Sequence, residues 1–124
     1  MNPKLDGAFL ERQRLELLRL RATLVAATAA AESEEAEVRT QRTDGALEAE
    51  EDAQQLDALE RGDDLVGRSI ERLGRVDRAL QKLEEGTYGV SDVSGQPIGR
   101  ERLEAVPEAL CTLSEERSLE HQQR

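Results

Sequence analysis

Aromatic side chains are almost missing from this chain: one Phe, one Tyr and no Trp in 124 residues. Large aromatic groups supply much of the buried area of a compact core, and few are available here. Only one cysteine, Cys111, is present, which rules out an intramolecular disulfide and points to a reducing compartment, the cytoplasm. No run of 18 apolar residues occurs, so no transmembrane helix is expected. Lys4, Arg12, Arg14 and Arg19 interrupt the first twenty residues, and no secretory signal peptide is read there. The single histidine, His121, lies close to the C-terminus, and neither a phosphate loop nor a dinucleotide fingerprint is found. Catalysis is not expected.

Charge and periodicity fill the space these absences leave. Charged residues make up 35% of the chain, which nets −10, and Ala, Leu, Glu, Arg and Gln dominate, as in long amphipathic helices. Residues 32–64 hold 13 of the 27 acids against 3 of the 17 Lys and Arg. Phosphates would be repelled there, so the middle of the chain is not a nucleic-acid-binding segment. Leu10, Leu17, Leu24, Ala31 and Val38 recur every seven residues, with Leu20 and Ala27 between them. Leu59, Val66, Leu73 and Leu80 repeat the period, supported by Ile70, Val76 and Leu83. The pattern predicts two long helices, over 6–40 and 46–85, separated by the turn formers Thr40 to Gly45. Each apolar stripe is too narrow to stabilise a helix alone, so the two should fold back into an antiparallel coiled-coil hairpin over 6–85. At 1.5 Å per residue such a hairpin is roughly 50 Å long.

Folded this way, the acids gather toward the turn, near residues 40–53. Arg12, Arg14, Arg19 and Arg21, with Arg68, Arg72, Arg75, Arg78 and Lys82, make the other end mixed to basic. Gly86 is placed to end the second helix in a left-handed cap. Beyond it the periodicity stops. Turn signals at Gly89, Gly95, Pro97, Gly99 and Pro107 predict a small irregular subdomain over 86–118 with a short C-terminal helix from Ser114 to about Glu120. Residues 119–124 are predicted as a polar tail. The fold class is therefore mainly α.

Two segments carry a family resemblance. Ala79-Leu80-Gln81-Lys82-Leu83-Glu84-Glu85-Gly86-Thr87-Tyr88-Gly89-Val90 resembles the helix end and entry strand of the DksA/TraR family. Gly95-Gln96-Pro97-Ile98-Gly99-Arg100-Glu101-Arg102-Leu103-Glu104-Ala105-Val106-Pro107 is similar to that family's Gly-x-x-Ile…Arg-Leu-x-Ala-x-Pro pattern. The resemblance implies a bacterial transcription regulator that binds RNA polymerase rather than DNA, with no sequence-specific DNA contact of its own. It implies a monomer whose hairpin enters the secondary channel and modulates initiation. Counting back from Gly86-Thr87-Tyr88-Gly89 places the family's acid-x-x-acid-x-Ala tip on Glu48, Glu51 and Ala53, with Asp52 beside them. The best-known members carry Asp at both acidic positions.

The resemblance also implies guanosine tetraphosphate, the stringent-response alarmone, at the polymerase interface. Arg68, Arg72 and Arg75 are helical neighbours that could present a basic face to it. Val106, however, precedes Pro107 where alarmone-responsive members have arginine. Most members also hold zinc with a Cys-x2-Cys…Cys-x2-Cys set; the matching positions here are Ser91, Ser94, Cys111 and Ser114. Serine hydroxyls neither deprotonate near neutral pH nor act as soft donors, so zinc is expected to be lost and no metal is assigned. Asp92, Glu115 and His121 lack ligand-like spacing and are not expected to replace the thiolates. Packing of Tyr88, Val90, Val93, Ile98, Leu103, Val106, Leu110 and Leu113 against the hairpin base is the expected support, with Cys111 a small buried residue. The alternative is a diverged structural or adaptor coiled coil that uses the hairpin for self-association, through Leu10 to Val38, or for another protein partner, without touching polymerase.

Overall fold

A computed structural model describes the backbone of residues 5–44 and 49–122 and the side chains of residues 5–34 and 65–122. Four helices follow one another: α1 (Gly7–Asp44), α2 (Ala49–Glu85), α3 (Arg100–Ala105) and α4 (Leu113–Gln122). The protein is mainly α. Among the described residues the only extended pairing is an isolated antiparallel bridge between Val90 and Pro97. The expected turn residues Thr40 to Asp44 instead continue α1. Intrinsic turn preference is weak against continued backbone hydrogen bonding along an established helix.

The chain divides into two compact units, one of Met1–Arg21 with Gly74–Arg124, the other of Ala22–Leu73. In the second unit, Leu24 is buried and Ala31, Val66 and Leu73 are half-buried, as the seven-residue repeat requires. Ile70 departs from that expectation and is 54% exposed. The half-buried neighbour is Ser69, so the inward stripe of α2 passes one residue to the side.

The first unit contains the start of α1, the end of α2 and everything after it. Asp6 caps α1, its Oδ1 accepting the Phe9 amide at 2.7 Å and satisfying one of the helix's orphan donors. Gly86, at φ 80°, ends α2; the Thr87 amide bonds back to the Lys82 carbonyl at 2.8 Å. This six-to-one bond is the Schellman arrangement, which favours glycine because the left-handed backbone has no room for a Cβ. The two helices run antiparallel here, with Arg21 Nε 2.8 Å from Asp77 Oδ1.

Phe9, Leu17, Val76, Ala79, Tyr88, Ile98 and Leu103 form the buried core of this unit. The single Phe and the single Tyr thus serve the same core. Of the residues expected to support the C-terminal segment, Tyr88, Ile98 and Leu103 are buried and Val90, Val106 and Leu110 half-buried. Val93, at 60% exposure, and Leu113 lie outside the core. Val93 sits in a tight turn whose amide is drawn inward to the Ser91 hydroxyl, and Leu113 opens α4 on its outer side. No described helix is long and apolar enough to cross a membrane.

Candidate functional site

Lys82 organises the approach to the C-terminal segment. Its side chain belongs to the last turns of α2, yet the residue is only 2% exposed, so it does not contribute to a basic surface. The ammonium donates to the Val90 carbonyl and to Asp92 Oδ1 at 2.8 Å. Arg78 grips the same carboxylate through Nε at 3.0 Å and Nη2 at 3.1 Å. The Arg78 hydrogen bond, with Lys82 behind it, holds the Asp92 carboxyl below its usual range. Other cations of the expected basic end are also paired: Arg14 with Glu11 and Arg21 with Asp77. Local ion pairing therefore reduces the basic field inferred from the sequence.

Ser91 begins the turn that follows. Its backbone pairs with Gln96 and Gly95, Ser91 N bonding to Gln96 O at 2.8 Å and Gly95 N to Ser91 O at 3.0 Å. Gly95 takes the left-handed conformation that closes this turn, φ 77°. The Ser91 hydroxyl is an acceptor for the amides of Val93 at 3.0 Å and Ser94 at 3.3 Å, and it donates to Glu115 Oε1 at 2.7 Å. The residue is 4% exposed, so the hydroxyl is fully committed inside the fold.

Glu115 is shared by two elements. Its Oε1 accepts the Thr112 amide at 2.9 Å, while the Glu115 amide donates to Thr112 Oγ1 at 3.2 Å. These reciprocal bonds make a capping box at the start of α4. The hydroxyl of Ser94, the backbone of Thr112 and the hydroxyl of Ser91 together hold the Glu115 carboxyl down at about 2. A backbone bond from Asp92 N to Leu110 O at 2.8 Å joins the same two segments.

The four positions matching the family's thiolates thus have different surroundings. Ser91 is buried, Ser94 and Ser114 are exposed, and Cys111 is half-exposed instead of buried. Burial, then the Glu115 charge, pushes the Cys111 thiol up, away from the thiolate a metal needs. Asp92 is committed to Arg78 and Lys82, Glu115 to hydroxyls and an amide, and His121 is exposed near the end of α4. Such a donor set does not fit a zinc ion. Among the described residues no group of three His, Cys, Asp or Glu side chains is placed to hold a metal.

Arg68, Arg72 and Arg75 are exposed on α2, the first two in the second unit and Arg75 in the first. Glu48 and the side chains of Glu51, Asp52 and Ala53 lie outside the described residues. Sequence reasoning missed Glu115 as a capping residue, although Thr112-x-x-Glu115 is a capping-box signature. It also missed Gln13, a polar residue at an inward heptad position, which is buried and donates to Tyr88 and to the Leu103 carbonyl.

Comparison with known proteins agrees with this architecture. No family model matches the chain. General stress protein 16O of Bacillus subtilis is 52% identical over 50 residues, covering 40% of this chain and 31% of that protein. The RNA polymerase-binding transcription factor DksA of Caulobacter vibrioides is 42% identical over 52 residues, covering 42% and 35%. The matched segments thus span about a third of these curated relatives. Over nearly the whole chain, the structure of transcription factor DksA2 from Pseudomonas aeruginosa aligns with a TM-score of 0.76 at 28% identity, covering 96% of this chain and 89% of that one. The Chlamydia trachomatis transcriptional regulator Dks shares the fold, with a TM-score of 0.59 at 24% identity. The chain is DksA/TraR-like in sequence and in fold.

Proposed function

We propose, taking the DksA2-like architecture as the premise, that this protein binds RNA polymerase and regulates transcription. The observation that carries the reading is the fold match over 96% of the chain to a transcription factor. The 42% identity of one segment to a protein named for polymerase binding supports it. In this reading the helix pair enters the secondary channel and brings Glu48, Glu51, Asp52 and Ala53 near the active site. Carboxylates carried there would act on cationic groups or bound metal through charge. The protein acts as a binding regulator in the cytoplasm, as a monomer and without reading DNA sequence.

Guanosine tetraphosphate belongs to the same proposal at a lesser level. Arginine forks suit phosphate oxygens, and Arg68, Arg72 and Arg75 are the residues that would meet it. With Val106 where responsive relatives carry arginine, the alarmone is expected to add little.

Purified protein should be retained by RNA polymerase and should change transcript yield from a ribosomal promoter in a defined assay. Glu48→Ala with Glu51→Ala should abolish the change in yield while leaving retention intact. Absence of retention by polymerase would sink the reading. A stable dimer through Leu10 to Val38 would then favour the adaptor alternative.

A further inference from the structure

We propose that the Glu115 carboxylate is the cross-link that closes the C-terminal subdomain, taking the place a metal ion would have in a four-thiolate relative, so that the subdomain folds without metal. The inference concerns how this segment is held shut and does not depend on polymerase binding.

A structural metal in such a fold has one mechanical task. It ties the turn carrying the first ligand pair to the turn carrying the second, closing a loop whose ends would otherwise separate. Here the first turn is Ser91 to Gly95 and the second is Cys111 to Glu115. Thiolate positions are occupied by hydroxyls in three of four cases, and a hydroxyl is a hydrogen-bond donor where a metal-binding thiolate is an acceptor. Ser91, the one of the three serines that is buried, therefore requires an acceptor between the two turns. Glu115 supplies one, standing directly after the last of the four positions.

The geometry matches that requirement at both ends. From the first turn, Ser91 donates to Glu115 Oε1 at 2.7 Å. On the second, the Thr112 amide donates to the same oxygen at 2.9 Å. One oxygen thus receives a donor from each turn. The Ser91 hydroxyl simultaneously accepts the Val93 and Ser94 amides, which shapes the first turn around a serine oxygen. Charge-assisted bonds of this kind are roughly twice as strong as neutral ones, and the two donors, one from each turn, share a single anion. No oxidisable or exchangeable group takes part, because Cys111 is not among the donors.

Three variants of the full chain separate this role from simple helix capping. The reporter is Tyr88 fluorescence, clean because Tyr88 is the only Tyr and Trp is absent; the buried phenol lies in the same unit. Wild-type protein should contain far less than one zinc per chain and melt at the same temperature with and without a strong chelator. Glu115→Ala should lower the melting midpoint by several degrees, and the double variant with Ser91→Ala should lose clearly less than the sum of the two, since they share one link although Ser91 also holds the Val93 and Ser94 amides. Thr112→Ala, which removes the cap acceptor alone, should cost less than Glu115→Ala. Ser91→Cys, Ser94→Cys and Ser114→Cys placed in the Glu115→Ala background restore four thiols with Cys111. That variant should bind one zinc and regain a wild-type midpoint only when loaded, even if Glu115→Ala alone does not fold. The proposal is overturned by a chelator-sensitive wild type, by additive effects of Ser91→Ala and Glu115→Ala, or by a four-thiol variant that zinc fails to restore.

Discussion

Gln13 and Tyr88, 75 positions apart in the chain, meet through a hydrogen bond from Gln13 Nε2 to the Tyr88 hydroxyl at 3.0 Å. The same amide donates to the Leu103 carbonyl at 2.7 Å, and the phenol passes its own proton to the Pro107 carbonyl at 2.8 Å. α1 is thereby joined to the segments on either side of α3 through one buried polar chain. A polar group at an inward heptad position is costly unless satisfied, and here each donor has an acceptor.

Replacing either partner should therefore destabilise the fold. Gln13→Leu leaves the Leu103 carbonyl and the phenol without their donor, and Tyr88→Phe leaves the Pro107 carbonyl without one. Each is expected to lose about 1–3 kcal/mol, the cost of stranding a buried polar group. Urea unfolding followed by circular dichroism measures it. Wild-type stability in both variants would show that water substitutes freely at this position.

Tyr88 should titrate late. Burial pushes its phenol up to about 12, against a smaller opposing effect of the Gln13 hydrogen bond. A raised value favours the neutral phenol in the folded state, so this contribution is whole below pH 10 and disappears as pH rises toward 12. Absorbance at the phenolate band reports it without interference, since no other Tyr or Trp exists. A midpoint near 10 in folded protein would contradict the burial.

Acid should act through Glu115 and Asp92 in the opposite sense. Both carboxyls are held below their usual range, Glu115 to about 2. The Glu115 stabilisation is complete above its ordinary value near 4.5 and is lost as pH falls toward about 2, and that of Asp92 is complete above its ordinary value of 3.8 and is lost at lower pH. Glu115→Gln should flatten the stability profile across that window except for the share that belongs to Asp92. Melting midpoints between pH 5 and pH 2 decide it; identical slopes for the two proteins would refute the assignment.

Lys82→Met tests the buried ammonium. Methionine keeps the aliphatic stem but removes the donor to Val90 O, while Arg78 remains on Asp92. A loss of about 1–3 kcal/mol is expected, whereas Arg78→Met, at a solvent-screened pair, should lose less. Equal losses would mean that burial of the Lys82 head group is not decisive. Chemical denaturation of the two variants side by side gives the comparison.

Much of this architecture is legible in one dimension because helices have a short, regular period. The heptads from Leu10 to Ala31 and from Val66 to Leu83 name the inward stripes, and Gly86 marks where α2 must stop. The motifs around Tyr88 and Leu103 identify the C-terminal segment for the same reason, being contiguous in the chain. Ile70 was misplaced because period alone does not fix rotation about a helix axis to within one residue. Phe9 was overlooked because a single aromatic carries no periodicity.

What the sequence determined by itself is thus the helical class, the position of the α2 stop and the lack of thiolates for a four-cysteine zinc site. Tertiary structure decided which charges face water and which are shared. Lys82 reads as one more surface cation and Glu115 as one more acid until folding brings Asp92 to the first and Ser91 to the second. The physical reason is that a local pattern reports the chain's own turns, whereas the state of an ionisable group depends on partners that only the packed chain supplies.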